Sequence, residues 1–357
     1  MTNARDEEMS EYVGFTCAYA PTPLIHAAGF VPHRILPVGD APDQAGVLLH
    51  DNMCPHVKRV LDRALAGDLP TLAGVIIMES CDAMRRLADA WQQARPDDPL
   101  VTVDLPFARN DRSAAYFADH LRQLARTLEQ WSGRRLGDEL LRESCRNYDA
   151  LVDGLAKART RAATGTLDGG WTRLQKLTNQ SVTQPIEDTR AALAKWLDQE
   201  PVPPTSGVPV SLFGNVLADE EAFTLLGDCG ARVVNADLCT ADRQLTPLLL
   251  GEGEVYAELS NAILSRPVCA RTFAPDDPNR LARQVIDDAR RAGARGVIAH
   301  VMKFCDPYLA RLPTVRDQLR QAGLPMLVLE DDCTLRSLGQ HKTRIQAFVE
   351  MLTEEAP

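Results

Sequence analysis

No C-x-x-C pair occurs anywhere in these 357 residues, although nine cysteines are present. Zinc ribbons and ferredoxin-type clusters are built on such tight pairs, so a prefabricated zinc finger is excluded. There is no G-x-x-x-x-G-K-S/T loop and no G-x-S-x-G elbow, and GEGEVYA near Gly251 lacks the third glycine of a dinucleotide fingerprint. No ATP site or NAD site is therefore legible. The seven histidines show no H-E-x-x-H spacing, and His50 and His56, which flank Cys54, read as capping or surface residues. No apolar stretch approaches the roughly 18 residues of a membrane span. No Lys/Arg-rich stripe interrupts a chain of formal charge -10, so neither membrane nor nucleic acid is an expected partner. The amino-terminal MTNARDEEMSEY is polar and acidic, without the basic and apolar regions of a signal peptide, which leads to the expectation of a cytoplasmic protein. An odd number of cysteines in a reducing compartment argues against a disulfide framework.

What is present is an α/β pattern. A hydrophobic content of 45% over this length supports about two or three packed domains. Continuous apolar runs such as LAGVIIM, LVTVDLP, VPVSLFGN, GVIAHVM and PMLVLE alternate with amphipathic segments such as PHVKRVLDRALAG, which Asn52 or Asp51 could cap, and DAMRRLADAWQQA. Apolar strands alternating with such helices favour parallel sheets covered on both faces. One long helical region is expected from about Ser113 to Ala163, and QEPVPPTSG reads as a linker, with the boundary at 201–207. The fold class is α/β, with two similar Rossmann-like or flavodoxin-like lobes and a helical segment. The expected division is an N-terminal lobe with its helical extension over 1–165, a helical connection and linker over 166–207, and a C-terminal lobe over 208–357. Cys81 stands before Asp104 of VDLP much as Cys305 stands before Glu330 of LEDD, which suggests an internal duplication.

The cysteines divide by position. In open α/β sheets ligands gather beyond the carboxyl ends of the strands, where helix N-termini point. Cys81 in GVIIMESCDAM and Cys305 in GVIAHVMKFCDP both end such strands. A thiol there is expected to have a lowered pKa and to favour thiolate, the form that binds metal. Cys17 lies in a loop of small residues before a proline-introduced helix, which leaves room for a bulky group. Cys54 and Cys239 stand at similar loop or strand-end positions and form a second tier, with Cys333. Cys145, Cys229 and Cys269 read as buried structural thiols. Three thiolates converging from distant strand ends would leave a fourth ligand position open to substrate. Many Asp, Glu and His residues lie near strand ends, and no acid or base is singled out among them.

Read in order, CAYAPTPLIHAAGFVP (17–32), MCPHVKRVLD (53–62), ESCDAMRRLADAW (79–91), VDLP (103–106), KFCDP (303–307), GLPMLVLEDD (323–332) and GQHKTRIQAFVEM (339–351) resemble the 2-hydroxyacyl-CoA dehydratase subunit family. That family also includes benzoyl-CoA reductase subunits and double-cubane-cluster proteins. The resemblance runs nearly end to end. It implies that Cys17, Cys81 and Cys305 hold a 4Fe-4S cluster with one iron open. It implies a sister subunit, in a heterodimer or homodimer, and a separate ATP-hydrolysing iron–sulfur activator that delivers one electron. It further implies an acyl-CoA substrate, dehydrated or reduced through a ketyl radical. Within the family the alternatives are a benzoyl-CoA reductase-like subunit or a double-cubane reductase of small molecules, which would use further thiols such as Cys54, Cys239 and Cys333. Outside it stands a non-catalytic two-lobed binding or partner subunit.

Overall fold

The computed structural model describes residues 11–274, 276–333 and 338–354, so the acidic amino-terminal stretch before Glu11 lies outside the described residues. The first lobe runs β1 (Tyr12–Phe15), α1 (Thr22–Ala27), β2 (Val31–Arg34), α2 (Pro55–Leu65), β3 (Leu72–Glu79), α3 (Asp82–Ala94) and β4 (Leu100–Asp104). Four helices follow: α4 (Asp111–Ser132), α5 (Asp138–Ala163), α6 (Gly170–Gln180) and α7 (Ile186–Leu197). The second lobe runs β5 (Val208–Gly214), α8 (Glu221–Asp228), β6 (Ala231–Asp237), α9 (Val255–Leu264), α10 (Arg280–Arg291), β7 (Gly296–Met302), α11 (Asp306–Gln321), β8 (Met326–Asp331) and α12 (Leu338–Glu354). No helix among the described residues is long and apolar enough to cross a membrane.

Each lobe carries a four-stranded, all-parallel sheet, and the two orders correspond: β2-β1-β3-β4 and β6-β5-β7-β8. Parallel sheets need cover on both faces, and the alternation of side chains along each strand supplies it. On β3, Ile76 and Met78 face Phe117, Leu121 and Leu128 of α4, while Val75 and Ile77 pack with Val60 and Leu61 of α2 and Trp91 of α3. On β7, Ile298 joins Phe348 and Leu352 of α12, whereas Val297, Ala299 and Val301 join Val285 of α10 and Val315 of α11. At about 1.5–3 kcal/mol for each large apolar side chain buried, these two-sided layers dominate the stability of the lobes.

The helical segment ties the lobes together. Helix α5 packs against α1 of the first lobe and β6 of the second, and α9 of the second lobe lies along α4 of the first. The long helical region expected from Ser113 to Ala163 is helical and consists of two helices, because Gly133 caps α4 in the left-handed region and lets the chain turn before α5. Residues 201–206 form no helix or strand. Helix α2 begins later than a cap at Asn52 or Asp51 would set it. Cys54 is its N-cap and Pro55 its first residue, the position where a missing N–H costs nothing.

Gly214 ends β5 at a position paired with His300 of β7, and its φ of 154° suits glycine. A Cβ there would collide with the His300 carbonyl. Its own carbonyl accepts from Tyr308 Oη at 2.6 Å and from Arg243 Nη1 at 3.0 Å. Gly214→Ala is expected to lose about 3 kcal/mol of stability through backbone strain and overpacking, read as a fall in the urea midpoint at unchanged slope.

Candidate functional site

The strand orders create the site. In each sheet the connections leave the central pair, β1/β3 or β5/β7, in opposite directions, and a crevice opens beyond their carboxyl ends. Cys17 follows β1 and Cys81 follows β3, while Asn215 follows β5 and Cys305 follows β7. The two crevices meet in one cavity of about 710 Å3 lined by Cys17, Cys54, Cys81, Cys239, Cys269 and Cys305. Three of these thiols come from each lobe.

Cys81 and Cys305 are the N-caps of α3 and α11, equivalent positions in the two lobes. Cys54 caps α2, Cys239 follows β6, and Cys269 lies between α9 and α10. All nine cysteines are free. Phe304 occupies the left-handed region at φ 57°, an uncommon conformation for an aromatic residue, immediately before Cys305. Both Phe304 and Phe107 line the cavity and stay 44% and 47% exposed, which puts aromatic surface at its mouth.

Three sequence expectations are corrected here. Cys269, read as structural, lies in the cavity wall. Neither period nor spacing marks it, because it stands in an irregular connection, and only the two arginines bracketing it in RPVCARTF distinguish that stretch. Cys333 is absent from the cavity lining; it is 2% exposed and packs with Val216 and Met302 in the core shared with α2 and α3. Burial and then Asp332 push its thiol up. His56, read as a cap or surface residue, is buried in the wall, and burial followed by the nearby Arg34 brings its pKa down to about 3, so it is neutral at physiological pH. Cys145 and Cys229 pack in the two lobes' cores.

The expected acidic shift at the helix ends also fails. Burial pushes Cys81 up to about 11, and the Met84 N–H offsets only part of this. A hydrogen bond shared with Cys54, then burial, drives Cys305 up as well. Desolvation of a thiolate in a cavity of apolar walls outweighs one helix terminus. Cys239 and Cys269 behave as a pair: the hydrogen bond between them raises Cys239 and lowers Cys269, with Arg243 favouring the thiolate of Cys269. Arg243 is itself fully buried, donating to Cys239 Sγ at 3.0 Å and pairing with Asp237 at 2.8 Å.

Three further arginines cross between the lobes, and each bonds a backbone carbonyl at or next to a cavity cysteine. Arg34 at the end of β2 donates to the Cys239 carbonyl at 2.6 Å and to Gln244. Arg266 donates to the carbonyl of Ala18, beside Cys17, at 2.6 Å. Arg271 donates to the carbonyl of Ser80, beside Cys81, at 2.7 Å, and to those of Leu105 and Pro106, with its guanidinium over the Phe107 ring. All three are buried, and none has a carboxylate partner among the described residues. Buried polar atoms without a hydrogen-bond partner include Arg34 Nε, His56 Nδ1 and Asn215 Nδ2, on residues that line the cavity.

Uncompensated buried cations cost several kcal/mol each. Guanidiniums without counter-ions, unpartnered donors and six thiols around one space therefore fit an anionic, thiolate-bound occupant. No three His, Cys, Asp or Glu side chains among the described residues converge on a single-ion position. The donors surround a volume, as a polynuclear group needs, since its terminal ligands bind different metal atoms.

Fold and site together define a two-lobed α/β protein whose cysteines meet in the cleft between like lobes. The chain belongs to the family described as 2-hydroxyglutaryl-CoA dehydratase, D-component, whose model matches residues 17–352. It is 26% identical over 350 residues to lactoyl-CoA dehydratase subunit beta of Anaerotignum propionicum, covering 95% of this chain and 91% of that protein. It is 23% identical over 328 residues to a benzoyl-CoA reductase subunit of Thauera aromatica, covering 88% and 84%. It is also 23% identical over 359 residues to (R)-2-hydroxyglutaryl-CoA dehydratase, subunit beta, of Acidaminococcus fermentans, covering 95% and 92%.

Arg271→Met removes the donor for three carbonyls across the lobe seam. The metal-free variant is expected to lose about 3 kcal/mol in urea unfolding, with earlier proteolytic cleavage near the seam.

Proposed function

We propose that this chain is an iron–sulfur subunit of a low-potential, activator-dependent enzyme of its family, and that the six cavity thiols are the cluster's ligands. The observation that carries this reading is the set of six, three from each lobe, facing one space beside buried guanidiniums that lack carboxylate partners among the described residues. A single cubane takes at most four terminal ligands, so six thiols favour a double-cubane group in which each half takes three. When bound, such a cluster supplies one electron at low potential and an iron position accessible to substrate.

The chain's own residues prepare that position. Arg34 and Arg271, which line the cavity, offset the charge of thiolates in a dry site, and together with Arg266 they hold the loops of Cys239, Cys81 and Cys17. Asn215 Nδ2, buried and without a partner, is a donor available to the occupant or to a substrate oxygen, whereas neutral His56 gives its Nε2–H to the Thr16 carbonyl at 3.4 Å and so presents Nδ1 as an acceptor. Phe107 and Phe304 restrict water at the mouth. The sequence has no P-loop, so ATP-coupled delivery of the electron falls to a second protein. The relatives are each named as one subunit of an enzyme, two of them as beta subunits, and this supports a sister subunit here.

A second reading keeps the narrower ligand set. Cys17, Cys81 and Cys305 follow β1, β3 and β7, strands that flank the two crevices, and the relatives' names include dehydratases of 2-hydroxyacyl-CoA thioesters. There a single 4Fe-4S cluster serves dehydration of an acyl-CoA, with a ketyl radical on the substrate.

Anaerobic purification with iron and acid-labile sulfide counting separates the two. About eight irons per chain are expected, with Cys54→Ser, Cys239→Ser and Cys269→Ser each losing roughly half or more, and Cys333→Ala retaining the full count. About four irons, unchanged in those three serine variants, would establish the narrower set and reject the double cubane. Turnover should require ATP together with a second protein; steady reduction by this chain alone with ATP would refute the need for an activator.

A further inference from the structure

The segment that carries Cys269 has two faces. Cys269, Ala270 and Arg271 line the thiol cavity, whereas Ser265, Arg266, Pro267 and Val268 line a second concavity of about 280 Å3 along α10. Five arginines line that second space, at positions 109, 266, 280, 283 and 291. The acids there are Asp287 and Asp288.

The ion pairing leaves a positive excess at the N-terminal end of α10. Arg291 pairs with Asp288 at 2.8 Å, and Arg283 pairs with Asp277. Arg280 has no ion-pair partner among the described residues, and Arg109 bonds only the Tyr19 hydroxyl there, at 3.1 Å. Arg266 is 3% exposed, and its Nε, like that of Arg109, is buried without a hydrogen-bond partner. Arg280 lowers the pKa of Arg109 beyond the larger effect of burial, as like charges crowded together must. Burial pushes the Asp288 carboxyl up to about 6, with Asp237 adding to the effect, so it remains mostly ionised at neutral pH and its charge is met by Arg291. Helix α10 also starts without a side-chain cap at Asn279, so the positive end of its dipole lies beside Arg280 at this groove, although the Arg280 N–H itself is taken by the Asp277 carbonyl at 3.1 Å.

We infer that this groove is a phosphate-binding subsite, which takes the phosphorylated end of a ligand whose other end enters the thiol cavity. The two spaces share no lining residue and back on to one wall, which two hydrogen bonds hold. Arg109 bonds the hydroxyl of Tyr19, a residue of the cavity wall, and Arg266 reaches the Ala18 carbonyl beside Cys17. The phosphates have two chemical sources, the nucleotide end of a CoA ester or a free phosphorylated small molecule. The inference rests on the proposed function only in taking the thiol cavity as the reacting end.

Calorimetric titration of the anaerobically purified full chain tests it, with CoA, dephospho-CoA and pyrophosphate as probes. Arg280 and Arg283 are partly exposed on α10, so an Arg280→Gln/Arg283→Gln variant leaves the core untouched. CoA affinity that falls tenfold or more in this variant, recovers in Arg280→Lys/Arg283→Lys, and falls likewise when dephospho-CoA replaces CoA on the wild-type chain supports the subsite with CoA as its source. Binding of pyrophosphate with the same variant pattern, but none of CoA, supports the subsite with a free phosphorylated ligand. Equal affinity of the wild-type chain and the glutamine variant, or no binding of any probe, overturns it. The iron content of the same preparations reports on the cluster reading independently, so either inference can fail alone.

Discussion

Positive charge buried where two lobes meet is the constraint to which the rest of the molecule answers. Arg34, Arg266 and Arg271 are withdrawn from water, and among the described residues their hydrogen-bond partners are carbonyl and amide oxygens, which orient a guanidinium without neutralising it. Each cation reaches across the seam to the backbone at a cysteine loop. The closure of the lobes, the positions of the thiols and the charge of whatever fills the cavity are thus one linked quantity. A negatively charged occupant relieves the desolvation cost of the cations, and the cations in turn favour ionised thiols there. Burial at Cys81, and at Cys305 the hydrogen bond shared with Cys54 followed by burial, oppose this and push both thiols up.

The shared strand order of the lobes makes their differences informative. At the ends of β3 and β7 the lobes agree, since both place a cysteine at a helix N-cap. At the ends of β1 and β5 they diverge: Cys17 stands in one, and in the other Asn215 accepts the Met302 N–H at 3.1 Å and leaves its Nδ2 free. At the ends of β2 and β6 they diverge again, because Arg34 closes β2 while Cys239 follows β6, and the two touch through the Cys239 carbonyl. Two halves with the same strand order thus carry unlike residues at two of the three strand-end pairs around the cavity.

Much of the fold is legible in the sequence because apolar periodicity is local. The strands that form β3, β5, β7 and β8 read directly as continuous apolar runs, and α3, α8 and α12 as amphipathic segments. Where the 113–163 helical region divides is hidden because a lone glycine in a helical pattern does not reveal whether it adopts positive φ, and Gly133 does. The cap of α2 is equally hidden: Asn52 and Asp51 have the right chemistry, but the turn that ends at Cys54 sets where helical angles begin.

The site divides in the same way. Cys81 and Cys305 are marked by strand ends and Cys17 by a small-residue loop before a proline-introduced helix, features carried within a few residues of each. Cys54 and Cys239 rank second on weaker local grounds, and both line the same cavity. Cys269, the core position of Cys333 and the cross-lobe arginines carry no such local mark, since a partner 205 residues away from Arg34, or 248 from Arg266, has no signature in either segment. Two α/β halves, strands that end in thiols and the lack of a nucleotide loop follow from composition and short-range order, and these the chain spells out residue by residue. Which thiols share one space, which cysteine is core, and that buried guanidiniums face the thiols without carboxylates emerge only when the chain is folded, because burial and charge pairing depend on contacts between distant segments.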